Sequence, residues 1–117
     1  MPNTYRTDGL AATGLSAQLK IVEFARRMLD GKLSYIEGTR RIMPLSFNAH
    51  LEEDPDILSL IGIFSETNAF PVGEQRNRWD PDALVALQPK IDSAENRARV
   101  NGEAPCRSIV KRFSSNH

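Results

Sequence analysis

The chain has 117 residues, 40% of them hydrophobic and 26% charged, enough for one small globular domain with a buried core and too few for a second. Fifteen Lys+Arg balance fifteen Asp+Glu, so the positive field of a nucleic-acid coat or a polybasic membrane anchor is missing. One cysteine, Cys106, makes no intramolecular disulfide and no thiol-built zinc or iron–sulfur site, which predicts a reducing, cytoplasmic setting. The opening Met-Pro-Asn-Thr-Tyr-Arg-Thr-Asp-Gly lacks the apolar stretch of a secretory leader. The longest apolar run, from Ile57 to Phe64, is far short of the roughly 20 residues that cross a bilayer.

Residues 1–14 are polar and carry Gly9 and Gly14, which predicts a flexible N-terminal arm ahead of a helical domain over 15–104. Ser16 is the expected cap of the first helix, since its hydroxyl can accept from an unpaired backbone N–H. Leu19, Val22, Met28 and Leu29 recur near helical spacing, with Phe24 and Ala25 between them and Lys20, Glu23, Arg26 and Arg27 on the wet side. Gly31 supplies a left-handed cap. Ser34-Tyr-Ile-Glu37 then reads as a capping box, in which serine and glutamate reciprocally satisfy backbone donors. Tyr35 and Ile42 share a helix face, as do Ile36 and Met43. Gly38 inside this helix costs about 1 kcal/mol relative to alanine, so another backbone is expected to approach closely there. Pro44 is expected to end or kink the helix.

Asp54-Pro55-Asp56 and Asp80-Pro81-Asp82 each place an acceptor at a cap, proline at the first helical position and a carboxylate at the positive helix end. Two helices should begin there. The first, over 57–64, is apolar on all sides and should be the buried centre of the fold. Periodicity alone leaves a central strand open for the same run, and the Asp-Pro start favours helix. Residues 80–99 read as two helical pieces meeting at Pro89, with Leu84, Leu87 and Ile91 inward and Asn101-Gly102 closing the end. Pro105 should break the chain, leaving 105–117 as a C-terminal tail or short helix. The expectation is an all-α single compact domain of about five helices.

Charge is unevenly spread: residues 1–49 carry seven positive and four negative side chains, 50–82 two and eight, 83–96 one and two, and 97–117 five and one. An acidic middle between basic flanks can steer toward a basic partner site, although solvated surface and helix caps account for much of it. His50 lies beside Glu52, Glu53, Asp54 and Asp56 without an established metal-ligand spacing, which predicts loop surface and no metal site. His117 ends the chain, and Cys106 has Arg107 but no histidine beside it in sequence, so neither forms a catalytic pair. Nucleotide-binding glycine motifs and the hydrolase elbow are absent. No catalytic residue and no cofactor are expected. Arg97, Arg99, Arg107, Lys111 and Arg112 with Phe113 make a basic end that could touch phosphate, but no nucleic-acid module accompanies them.

The stretch from Ser65 to Trp79 is long for a connection in so small a domain, and long ordered loops often carry function. Phe70, Val72 and Trp79 can pin it to the core, while Glu66, Arg76 and Arg78 are available for an internal ion pair or for a partner. Together, residues 27–38 (Arg-Met-Leu-Asp-Gly-Lys-Leu-Ser-Tyr-Ile-Glu-Gly), 65–68 (Ser-Glu-Thr-Asn) and 70–73 (Phe-Pro-Val-Gly), with Arg76 and Trp79, resemble a pattern in small bacterial proteins, some of which look like immunity proteins encoded beside secreted toxins. The resemblance spans roughly Ala17 to Arg99; Asn68 departs from it where the pattern carries aspartate.

Small size, the missing catalytic signatures, the acidic middle and this resemblance together point to a cytoplasmic protein-binding module, an immunity-type inhibitor that neutralises a toxin. Glu52, Glu53, Glu66, Glu74, Arg76, Arg78 and Trp79 are the candidate contacts with its protein partner, and the charge balance and short apolar run leave no membrane or nucleic acid expected. The alternative reading is a small enzyme or ligand-binding protein using the 65–79 loop. There Glu66 would serve as acid/base and Arg76 or Arg78 would hold an anion.

Overall fold

The structure, a computed structural model, describes the backbone over residues 2–114 and side-chain surroundings over 14–113, Gly73 aside. Met1 and residues 115–117, His117 among them, lie outside the described residues. Four α-helices follow one another: α1 (Pro2–Leu29), α2 (Tyr35–Asn48), α3 (Pro55–Thr67) and α4 (Pro81–Ser114), with a 3-10 turn over Gly73–Arg78 before α4. No strand occurs among the described residues, so the run from Ile57 to Phe64 is helix.

Each helix packs on the next, and α1 closes against α4. Their directions alternate. Met28 at the end of α1 meets Gly38 near the start of α2, and a Cβ at Gly14 of α1 would lie 3.5 Å from the Asn48 carbonyl at the end of α2. Arg112 near the end of α4 binds Asp54 at the start of α3. The result is an up-down-up-down bundle, which short connections favour.

The core follows the helical period. Ala17, Ile21, Val22, Ala25 and Met28 of α1 face Ile36 and Ile42 of α2, Ile57, Leu60 and Ile63 of α3, and Ile91, Ala94, Ala98, Cys106 and Ile109 of α4. Leu19, expected inside, is 54% exposed, because the strip that meets α2 and α4 runs through Ile21 and Ala25. The third helix is not buried all round either: Leu58 is 50% exposed, since a helix against two neighbours buries one stripe and leaves the opposite side wet.

Proline marks fewer boundaries than its local chemistry suggests. Pro44 lies inside α2, and α4 runs unbroken through Pro89 and Pro105, so the two C-terminal pieces and the tail form one 34-residue helix. An interior proline costs about 3 kcal/mol. Beyond Pro105, burial of Cys106 and Ile109 returns a comparable amount, at about 1.5–3 kcal/mol for a fully buried aliphatic side chain. At the other terminus the backbone is helical from Pro2 rather than from near Leu15. Pro2 takes a first helical position, where its missing N–H is unpaired anyway, and Leu10, Ala11 and Ala12 are strong helix formers between the two glycines. No described helix is long and apolar enough to cross a membrane.

Two connections are closed by left-handed residues. Gly31 (φ 76°) ends α1, with Gly31 N–H donating to Met28 O (3.1 Å) and Lys32 N–H to Arg27 O (2.8 Å), the paired bonds of a Schellman cap. His50 (φ 58°) does the same after α2: its N–H donates to Phe47 O (3.2 Å), and Leu51 N–H to Ser46 O (2.8 Å).

Candidate functional site

The most densely wired part of the surface surrounds the start of α2. Ser34 caps this helix, its Oγ accepting from Glu37 N–H at 3.0 Å. The expected reciprocal half of a capping box is not made, because the Glu37 carboxylate turns along the helix to Arg41, whose Nε lies 3.0 Å away. The next two donors of this turn are met from α4: Glu95 accepts from Tyr35 N–H (2.7 Å) and Ile36 N–H (3.1 Å). A negative charge on the exposed donors of a first helical turn is favourable on both hydrogen-bond and dipole grounds.

Glu95 stands between two hollows. One, of about 350 Å³, is lined by Met28, Leu33 and Tyr35 together with Lys32, Arg99 and Glu103. The other, a cleft of about 220 Å³, lies between α2, Pro71–Val72 of the connection and α4, and Arg76 and Asp92 help to line it.

The connection from α3 to α4 is held down by Arg40 of α2. Its Nη2 donates to the carbonyls of Thr67 and of Phe70 (2.5 Å), and its Nη1 to Gln75 Oε1 (3.2 Å). Gln75 Oε1 also accepts from Val72 N–H at 3.3 Å. Burial lowers the Arg40 pKa, partly opposed by the Glu37 charge, and Nε is buried without a partner. Further along, Arg76 Nη2 donates to Gln88 Oε1 (2.9 Å), and Gln88 Nε2 donates to Asp92 Oδ1 (2.8 Å). Phe70 and Val72 pack on the core as expected. Trp79 does not: it is 40% exposed, because the 3-10 turn ends in extended backbone at Trp79 before α4 begins.

The sequence-selected residues fall into two groups. Glu66, Glu74, Arg78 and Trp79 are exposed, with half-buried Arg76 beside them, where α3 ends and α4 begins. Glu52 and Glu53 precede α3 and sit at its opposite end; a 13-residue helix separates the groups by about 20 Å. Glu66 and Arg78 line neither of these two hollows, and Arg76 alone of the three reaches one.

The remaining titratable candidates have structural surroundings. Burial first, and the nearby Asp56 charge second, push the Cys106 thiol up to about 12, which leaves it protonated and inert at neutral pH. Desolvation likewise raises Tyr35 to about 12, ahead of smaller contributions from Cys106 and Glu103. Arg112, counted with the basic end, is bound to Asp54 (2.7 and 2.8 Å) and Asp56 (2.7 Å), and its guanidinium lies 4.7 Å from the Phe113 ring centroid. No three described His, Cys, Asp or Glu side chains gather closely enough to hold a metal ion.

Sequence reasoning missed Glu95 and Arg40. Neither carries a local signal, because the partners of Glu95 are 59 and 60 residues away and the Thr67 and Phe70 carbonyls are 27 and 30 residues from Arg40. No family model, curated protein or solved structure matches the chain.

Proposed function

We propose that the chain is a protein-binding module, and most concretely an immunity-type inhibitor that covers the active site of a bacterial toxin. The observation that carries this reading is Trp79. It is exposed at the end of a connection that Arg40 and Gln75 tie down, and the exposed charges Glu74 and Arg78 lie on the turn just before it. A pre-positioned aromatic with a charged rim is the kind of anchor that a partner's pocket uses. The acidic Glu66 and Glu74 at this end suit a basic partner surface. Glu52 and Glu53 belong to a separate face.

The test is co-expression with a toxin encoded by a neighbouring gene. Wild-type chain restores growth, and Trp79→Ala loses the rescue while melting at the wild-type temperature. Toxicity that persists beside soluble wild-type protein, or full rescue by Trp79→Ala, overturns the reading. A second reading, ligand binding through the 65–79 segment, is favoured by one observation, the approach of Arg76 to the cleft beside α2.

A further inference from the structure

We infer that the cleft between α2, Pro71–Val72 and α4 binds a free α-amino acid with an aliphatic side chain, held as its zwitterion between Arg76 and Asp92; the inference rests on the ligand-binding reading just given and names its ligand. The argument begins with Gln88. Its amide bridges two opposite charges at the edge of the cleft, accepting from Arg76 Nη2 at 2.9 Å and donating to Asp92 Oδ1 at 2.8 Å. A guanidinium only donates and a carboxylate only accepts, so the partners fix which way the amide points. Gln88 therefore presents an acceptor and a donor attached to one carbon. The carboxylate and ammonium of a free amino acid present the same pair across one more carbon, each with a full charge. Each Gln88 bond already has one charged partner; a zwitterion puts a charge on both sides and so adds a Coulomb attraction that the neutral amide lacks, which lets it displace the Gln88 side chain.

The other carboxylates at the cleft do not compete for the ammonium group. Glu37 is engaged by Arg41, and Glu95 by the N–H groups of Tyr35 and Ile36. The apolar part of the wall selects the side chain: Ile36, Pro71 and Ile91 are buried and Val72 is half-buried. Ser34, Glu37 and Glu95 also line the cleft, but Ser34 accepts from Glu37 N–H and the two carboxylates are already engaged, so a polar side chain would lose its water there for little return. Size sets the upper limit, since about 220 Å³ is below the roughly 300–1,000 Å³ of pockets for drug-sized ligands. Leucine, isoleucine and valine meet all three conditions.

The experiment is an amide-resolved NMR titration of the full-length protein with L-leucine, 4-methylpentanoate, which lacks the ammonium group, and 3-methylbutylamine, which lacks the carboxylate. Leucine is expected to give saturable shifts at Val72, Ile91 and the Gln88 side-chain amide, with both analogues binding about tenfold more weakly or worse. Asp92→Asn and Arg76→Gln each weaken leucine by about tenfold. Gln88→Ala, which removes the internal competitor and leaves both charges, tightens it. An analogue that binds as well as leucine overturns the zwitterion inference and leaves the ligand-binding reading standing. Absence of saturable shifts with all three compounds up to about 50 mM, a free energy too weak to matter in a cell, overturns both.

Discussion

The carboxylate of Glu95 on α4 accepts from the backbone N–H of Tyr35 at 2.7 Å, so the second helix is begun by a residue of the fourth. Two backbone donors depend on that one side chain. Glu95→Ala is therefore expected to lower stability by about 2 kcal/mol, and Glu95→Gln, which keeps a neutral acceptor, by about half as much. Urea unfolding resolves the series. Glu37→Ala serves as the contrast: its carboxylate makes an exposed i,i+4 pair with Arg41, so only a few tenths of a kcal/mol should be lost.

Glycines at helix crossings and on the open surface should respond with opposite sign to the same substitution. A Cβ at Gly38 would enter the buried Met28 side chain, with Cγ at 2.6 Å, and one at Gly102 would meet the Tyr35 ring at 2.8 Å. Gly38→Ala and Gly102→Ala are each expected to cost about 1–3 kcal/mol. A Cβ at Gly62 meets nothing within 4 Å, and Gly62→Ala should gain about 0.5–1 kcal/mol from helix propensity. Thermal unfolding of the three variants checks the signs.

His50 occupies a left-handed position that glycine takes freely. His50→Gly should stabilise the protein by about 1 kcal/mol, the strain that a side chain stores at positive φ. A melting temperature below that of the wild type would show that the His50 side chain makes a stabilising contribution larger than this strain.

The Asp54–Arg112 pair makes stability pH-dependent. Hydrogen bonding to Arg112 holds the Asp54 carboxyl below its ordinary value, against a smaller opposing effect of burial. A depressed carboxylate pKa stabilises the fold above the unfolded value of about 3.9 and stops doing so as pH falls through the folded value. Asp54→Asn keeps a good helix cap but loses the ion pair. It should be less stable than wild type by about 1 kcal/mol at pH 7, discounted for the partly exposed Arg112. The difference should close below pH 4 in denaturant titrations run across that range.

Local sequence accounted for what local chemistry controls. Asp54-Pro55 and Asp80-Pro81 start helices because a carboxylate cap and a proline at the first position need no distant partner: Asp54 accepts from Asp56 N–H at 2.9 Å and Asp80 from Ala83 N–H at 3.1 Å. Gly31 caps α1 for the same reason, and the 3.6-residue period placed Ile36, Ile42 and Ile91 in the core. Gly38 inside a helix was a legible mark of close approach, but the neighbour is the Met28 side chain and not the backbone that the glycine suggested.

Packing settled the remainder. Pro89 and Pro105 break helices by local rules, yet α4 continues because burial of Ile91, Cys106 and Ile109 outweighs the lost backbone bonds. Glu37 had the spacing for a capping box but pairs with Arg41, and the carboxylate that meets the first turn of α2 comes from Glu95, which no pattern of neighbours along the chain could reveal. The candidate surface divided for a related reason: Glu52 and Glu66 share an acidic segment but stand at opposite ends of α3. The cleft itself exists because Arg76 and Asp92, which Gln88 bridges, meet Ile36 and Pro71 only when α2, the connection and α4 pack together. Caps and periodicity act over a few residues, whereas hollows and ion pairs form between helices tens of residues apart, at distances that only the packed bundle sets.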